Sequence, residues 1–404
     1  MKIAMISEHA SPLATIGGVD AGGQNLHVAE LAVALVRQGH EVTVYTRRDC
    51  AELAGRVRTP DGYDVVHVPA GPAVPLPKDD LLPYMHEFGR WLSRRWASQD
   101  QAPDVVHAHF WMSGLAAVEA TQRLDTPVVL TYHALGSVKR RHQRGADPSP
   151  PARITLEEEL GRGVEAVVAQ CVDEVTELAR MGVPRDNVVT IPSGVDLGRF
   201  QPSGPMAPRG GRPRLLTVGR LVPRKGYDHL VRAMTGIPDA ELVIVGGPPE
   251  GLERDQEARR LHDLAQRLGV ADRVRLTGAV PRALMPSWYR SADVLACTPW
   301  YEPFGLTPLE AMACGVPVVT YALGGLQDSV VDSVTGVHVR PGDVSQLTTA
   351  LRDLIDDEAR RRRLGRAALV RARRQYSWAH SAARLASLYA EVRARRSELE
   401  KVAL

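Results

Sequence analysis

Lysine is scarce in this 404-residue chain: of 50 basic residues only Lys2, Lys78, Lys139, Lys225 and Lys401 are lysine. Arginine-heavy, alanine-rich usage is compositional bias, and it makes each internal lysine worth weighing singly. There is no excess charge of one sign, since 47 acidic residues leave a net charge of +3. No global field aims the chain at nucleic acid, and no nucleic-acid partner is expected. Cysteine is rare as well, at positions 50, 171, 297 and 314, without a C-x-x-C pair or a histidine partner at zinc spacing. That excludes a disulfide framework and a zinc finger, and predicts reduced thiols in a cytoplasmic protein. Long apolar runs are missing: the opening MKIAMISEHASP has only four apolar residues in a row. A signal peptide needs about 7–15 and a spanning helix about 20. No D-x-D metal motif occurs, so no metal and no cofactor are expected.

Short valine-rich strands alternate with amphipathic helices along the whole length. KIAMIS (2–7), EVTVYT (41–46), DVVHVP (64–69), DVVHAH (104–109), PVVLTYH (127–133), EAVVAQ (165–170) and NVVTIP (187–192) read as strands. Their apolar residues are continuous rather than alternating, as in parallel strands covered on both faces. The series breaks at 197–213, where eight of seventeen residues are Gly or Pro. It restarts at RLLTVGRL (214–221) and continues through ELVIVGG (241–247), VRLTG (274–278), VLACTP (294–299) and PVVTYA (317–322). The pattern predicts an α/β protein of two doubly wound, Rossmann-like domains, with the ligand in a cleft between them. The expected boundaries are 1–200, a linker at 201–213, 214–375, and a C-terminal segment at 376–404. The arginine-rich run at 360–374 reads as a solvated helix face; peripheral membrane contact is the less favoured reading.

Three stretches carry candidate chemistry. Gly17-Gly18-Val19-Asp20-Ala21-Gly22-Gly23-Gln24-Asn25 joins a strand to a helix N-terminus, where backbone N–H groups suit an anion. Its spacing is not G-x-G-x-x-G, and Thr46-Arg47-Arg48 stand where a dinucleotide site needs an acid, so a nicotinamide oxidoreductase is excluded. Gly219-Arg220-Leu221-Val222-Pro223-Arg224-Lys225-Gly226 follows a strand, and two cations five residues apart suit a leaving diphosphate. In Glu302-Pro303-Phe304-Gly305-Leu306-Thr307-Pro308-Leu309-Glu310, one glutamate lies in a loop and the other in the first turns of a helix. The turn Phe304–Thr307 can face a phosphate, Glu310 can take both hydroxyls of a ribose, and Glu302 reaches another part of the ligand.

Together with Tyr376-Ser377-Trp378, these segments resemble retaining GT-B glycosyltransferases of the family 4 kind over nearly the whole chain. Asp20–Asn25, His107-Ala108-His109-Phe110-Trp111 and Thr131-Tyr132-His133-Ala134-Leu135-Gly136 are most similar to two branches, the mycothiol-pathway inositol-phosphate N-acetylglucosaminyltransferases and the sucrose-phosphate synthases. The resemblance implies a GT-B fold whose C-terminal helix returns to the N-terminal domain. It implies that Arg220 and Lys225 hold the donor diphosphate, that Glu310 holds the ribose, that Glu302 and His133 contact the transferred sugar, and that Gly23 lets the backbone approach closely. Asn25, Lys78, His109, Phe110, Ala134, Lys139 and Arg153 are the acceptor-side candidates, with Glu8 and His9 beside them. Lys78 stands where the inositol-phosphate branch has a phosphate-binding lysine, whereas Phe110 and Ala134 replace a tyrosine and a threonine and so delete two hydroxyls.

The function implied is transfer of a hexosyl unit from a UDP- or GDP-linked sugar to a small polyhydroxylated acceptor, phosphorylated or not. Charge on the leaving group would be met by Arg220 and Lys225 without a divalent ion. No carboxylate is marked as a covalent nucleophile, so front-side displacement is the mechanism the resemblance implies. A nucleotide-sugar epimerase and a non-catalytic sugar-nucleotide binding protein are the rivals. The donor base, the sugar, the acceptor and a possible homodimer stay open at the level of sequence.

Overall fold

The computed structural model describes residues 1–14, 22–97, 102–143, 145 and 147–403, with side chains described as far as residue 398. Residues 17–21 of the glycine-rich loop lie outside the described residues. The chain forms two compact units: one takes Met1–Ala14, the chain onward to Pro192 and the return segment from Trp378, and the other is built on Ser193–Ser377.

The valine-rich runs form strands because β-branched side chains fill a pleated surface covered on both faces. The first unit carries β1 (Lys2–Ile6), β2 (Glu41–Arg47), β3 (Arg56–Arg58), β4 (Asp64–Val68), β5 (Val105–His109), β6 (Val128–Thr131), β7 (Ala166–Ala169) and β8 (Val188–Thr190). They join in the order β3-β4-β2-β1-β5-β6-β7-β8. Ile3 stands opposite Val42 on one side and Val105 on the other, both parallel. β3 pairs antiparallel with β4 at the sheet edge; its Arg-Val-Arg sequence gave no strand signal because neither face is deeply buried. The second unit carries β9 (Arg214–Val218), β10 (Glu241–Val245), β11 (Val274–Leu276), β12 (Val294–Cys297), β13 (Val318–Tyr321) and β14 (Gly336–Val339). Its order is β11-β10-β9-β12-β13-β14, parallel throughout, which is the doubly wound dinucleotide-fold order.

In each sheet the chain winds outward from a central strand, then crosses to that strand's other side: from β1 to β5 in the first unit and from β9 to β12 in the second. Crevices at the carboxyl ends of such strands are where open α/β sheets bind ligands. The Gly/Pro-rich stretch is tied along the second unit, with Ala207 N–H donating to Ser287 O (2.8 Å) and Arg290 Nε to Pro205 O (2.8 Å). The last helix, Trp378–Ala403, belongs to the first unit. There Gln38 Nε2 donates to Ala379 O (2.9 Å), Ser381 Oγ to Pro192 O (2.8 Å), and Arg393 pairs with Asp104 (2.9 Å). Among the described residues no helix is long and apolar enough to cross a membrane. Cys50 is exposed, the other three cysteines are buried, and none of the four is joined in a disulfide among the described residues.

Candidate active site

In the second unit, the loop after β9 brings Arg220 and Lys225 to the crossing point, and the loop after β12 brings Glu302. Lys225 Nζ donates to Glu302 Oε2 at 2.5 Å. Two glycines make that approach possible. Gly226 sits at φ +65°, and a Cβ there would lie 2.0 Å from Thr298 O. Gly324, at φ +47°, would place a Cβ 2.2 Å from Glu302 O. A side chain at either position would push the two loops apart. Burial raises the Glu302 carboxyl, but the charges of Lys225, Arg224 and Arg220 outweigh it and hold the group below the usual carboxylate range. Glu302 is therefore an anion at neutral pH, embedded among three cations.

Glu310 lies in the helix Leu306–Ala313, which begins after Gly305 at φ +83°. Its carboxylate is almost fully enclosed, at 4% exposure. Arg282 Nη1 donates to one oxygen and Tyr289 Oη to the other (2.6 Å). Each oxygen keeps a further lone pair, so the carboxylate is oriented rather than used up. Arg282 in turn lies over the Phe200 ring (4.8 Å). The first turn of this short helix leaves the amides after Phe304 without intrahelical partners. Among the described residues Thr307 Oγ1 meets only the Cys297 thiol, at 3.9 Å, and burial pushes that thiol up to about 12. Arg282 and Tyr289 gave no sequence signal, because nothing in their spacing ties them to Glu310.

In the first unit, the carboxyl ends of β1, β5 and β6 place Glu8-His9, Phe110 and His133. Two of these have strained backbones. Phe110 adopts φ +88° with ψ +154°, a region otherwise used by glycine, and His133 adopts φ +60°. Such strain persists only where the surroundings impose it, and it concentrates at functional sites. The His9 ring meets the Phe110 edge at 4.9 Å, and Glu8 Oε1 bonds His9 Nδ1 at 2.6 Å. Over the same Phe110 ring lie Lys78 Nζ (5.8 Å) and the Arg153 guanidinium (5.1 Å).

The other acceptor-side candidates are held by the protein itself. Arg153 is buried; its Nε donates to Glu157 (2.7 Å), Nη2 to Ala134 O (2.6 Å) and Nη1 to Ser149 Oγ (3.1 Å). Ala134 thus contributes its carbonyl to Arg153. Lys139 Nζ pairs with Asp147 (3.0 Å), approaches Asp79 (3.7 Å) and donates to Ser149 (2.8 Å). Asn25 Oδ1 caps the helix Gly23–Arg37 by accepting from Gly22 N–H (3.0 Å), while its Nδ2 donates to Ser11 O (3.0 Å). Asn25 is structural in these contacts, and Gly23 opens the helix.

His109 Nδ1 lies 3.0 Å from His133 Nε2, and His27 packs edge-on to His133 at 4.8 Å. His27, unmarked in sequence because it falls on the ordinary buried face of a helix, also packs on Trp378 (5.1 Å) and lies 3.3 Å from Gln170 Nε2. Burial pulls His27 down to about 3 and lowers His109 and His133 well below the usual range, reinforced by the neighbouring imidazoles. One nitrogen from each of His27, His109 and His133 lies within 4.8 Å of the others, an arrangement able to hold a metal ion.

Comparison with known proteins matches this arrangement in both units. The family described as glycosyl transferases group 1 matches residues 205–371, and glycosyltransferase family 4 matches residues 21–199. A D-inositol 3-phosphate glycosyltransferase of Xylanimonas cellulosilytica is 38% identical over 98% of this chain and 98% of its own length. The chain belongs to the family 4 glycosyltransferases. A second relative, D-inositol 3-phosphate glycosyltransferase 2 of Catenulispora acidiphila, is 36% identical over 96% of this chain and 94% of its own. Among solved structures, sucrose-phosphate synthase from Thermosynechococcus elongatus superposes with a TM-score of 0.88 at 30% identity, covering 97% of this chain and 99% of that one. Anabaena HepE in complex with UDP-glucose shares the fold at a TM-score of 0.75 and 20% identity, covering 97% of this chain and 100% of that one. The fold is GT-B, and the glycosyltransferase reading stands over both the epimerase and the non-catalytic alternative.

Proposed function

We propose that this glycosyltransferase moves a hexosyl unit from a nucleotide-diphosphate sugar to a small polyhydroxylated acceptor carrying a phosphate, with retention and without a catalytic metal. The observation that carries the reading is the Lys225–Glu302 contact of 2.5 Å at the crossing point of the second sheet, in a loop pair that also presents Arg220 and Arg224. Fixed cations at that place stabilise the charge that grows on a departing diphosphate. Glu302 orients the lysine and offers its free lone pairs to sugar hydroxyls. Arg282 and Tyr289 each donate to one oxygen of Glu310 and so fix its carboxylate, leaving a lone pair on each oxygen for the two hydroxyls of a ribose diol.

On the acceptor side, two cations over Phe110 favour a phosphate, and the relatives' names speak of inositol 3-phosphate. Buried carboxylate oxygens also support a polyol. Asp79 Oδ1 and Asp147 Oδ2 accept no hydrogen bond among the described residues, and hydroxyl donors would satisfy them. His133, nearly always neutral at pH 7, can accept or donate one hydrogen bond to the transferred sugar but carries no charge. With no carboxylate placed as a nucleophile, the acceptor hydroxyl attacks on the face the diphosphate leaves.

The test is a donor panel of UDP-glucose, UDP-N-acetylglucosamine and GDP-mannose against inositol phosphate, fructose phosphate and their unphosphorylated forms, read by nucleotide release and by the anomeric configuration of the product. Turnover that needs no acceptor, or an inverted product, overturns the proposal.

A further inference from the structure

We propose that His27, His109 and His133 form a binding site for one divalent transition-metal ion of the zinc class, entered past His133. Three imidazoles are a donor set suited to zinc, copper or nickel and unsuited to magnesium or calcium. The three ligand nitrogens lie within 4.8 Å of one another. Metal–nitrogen bonds of about 2.0–2.1 Å at tetrahedral angles place ligand nitrogens about 3.4 Å apart, so closure needs side-chain rotations of about an ångström. His109 and His133 already stand at 3.0 Å.

His109 is fully buried and its ring is not tied to the rest of the fold: among the described residues Nδ1, the nitrogen that faces His133, meets only that imidazole (3.0 Å), and Nε2 bonds to nothing. Its neighbour His107 is different: Nδ1 meets Tyr389 Oη (2.6 Å) and Nε2 meets Thr131 Oγ1 (2.9 Å), so that ring is saturated and is no ligand. An outer partner is present too: the Gln170 amide lies 3.3 Å from His27 Nδ1 and also bonds the His133 side chain, so one amide orients two of the three rings. His27 and His109 are buried while His133 is half-buried, which sets the route of entry. Three protein ligands leave a fourth position open for water.

Metal on His133 would withdraw it from the transferred sugar, so zinc-class ions should inhibit transfer. That consequence rests on the functional reading of His133, whereas metal binding does not.

The experiment uses the full chain stripped of metal, with Co2+ as the spectroscopic probe and Zn2+ competed against a chromogenic chelator. Binding of one equivalent, with intense low-coordinate Co2+ bands displaced by Zn2+, is expected. His27→Gln should lower Zn2+ affinity by at least about 100-fold, beyond the loss typical of an outer-shell change. If that variant does not fold by near-ultraviolet circular dichroism, His133→Gln at the half-buried position is read the same way. No uptake at micromolar metal, a weak octahedral spectrum, or wild-type affinity in the folded variant overturns the site. Binding that leaves turnover untouched upholds the site and overturns the sugar-side role of His133.

Discussion

Lys225 Nζ and Glu302 Oε2 meet at 2.5 Å although 77 residues separate them in the chain. The contact holds the lysine where charge would develop on a leaving diphosphate. Lys225→Ala should therefore reduce kcat by about 10²–10³ while changing donor Kd much less, since the interaction is strongest in the transition state. Single-turnover kinetics beside calorimetric donor titration make the comparison. Equal losses in both would make the contact one of uniform binding.

Glu310 is oriented by two residues that can be removed separately. Glu310→Gln should weaken donor affinity about tenfold or more, because a neutral amide cannot accept equally from two ribose hydroxyls. Tyr289→Phe deletes only the 2.6 Å hydroxyl contact and should cost less, about two- to tenfold. Calorimetric titration with the nucleoside diphosphate orders the two. A larger loss in Tyr289→Phe would mean that Glu310 acts through packing rather than on the ribose.

On the proposed reading Arg220 and Lys225 do the work of a divalent ion, so activity should persist in excess EDTA after dialysis, within about twofold of the untreated enzyme. Loss of activity restored by magnesium would contradict the leaving-group assignment.

Both sheets were legible in the sequence because buried parallel strands are continuous apolar runs, and DVVHAH or ELVIVGG can hardly be anything else. The edge strand Arg56–Arg58 was not, since two arginines flank one valine and its pairing is decided by β4. Glu302, Glu310 and Lys225 stood out by motif. What the sequence could not show is which candidates the fold consumes: Asn25 caps a helix, Lys139 is neutralised by Asp147, and Arg153 is locked to Glu157 and Ala134. Their partners lie between 3 and 19 residues away, and only the fold decides which of the nearby groups each one meets. His27, Arg282 and Tyr289 are the converse, ordinary helix-face or loop residues given a task only by tertiary packing.

Glu174 predicts a pH dependence unrelated to catalysis. Burial raises its carboxyl to about 7, even though Gln170 N–H donates to it at 2.7 Å. The native state then keeps a proton that the unfolded chain, near the ordinary glutamate value, releases. Stability from this group is full below about pH 4.5 and is lost as pH rises toward 7, by at most about 1.4 kcal/mol per pH unit. Glu174→Gln keeps an acceptor for Gln170 N–H and removes the titration, so it should raise the denaturation midpoint at pH 8 and leave it unchanged at pH 5. An equal effect at both values would show that the carboxyl is not protonated in the fold.

The acceptor side turns on Lys78. Its ammonium lies 5.8 Å from the centre of the Phe110 ring, and Phe110 is held in a backbone conformation that few side chains tolerate. Arg153 shares that ring but is committed to three protein partners, and Lys139 is paired with two carboxylates. Lys78 lies over that ring at the position where the similar inositol-phosphate branch carries a phosphate-binding lysine, and it is the cation we assign to an acceptor phosphate. One charged hydrogen bond contributes about 1.5–3 kcal/mol, so Lys78→Ala should raise the acceptor KM about 10- to 150-fold for a phosphorylated polyol. The same variant should leave the KM of the unphosphorylated compound within about twofold. Phe110→Tyr adds a hydroxyl beside the two cations and should act in the opposite direction, lowering KM for the phosphorylated acceptor only. Initial-rate kinetics on matched phosphorylated and unphosphorylated acceptors decide the matter. If Lys78→Ala shifts both KM values together, the lysine shapes its loop rather than the phosphate pocket.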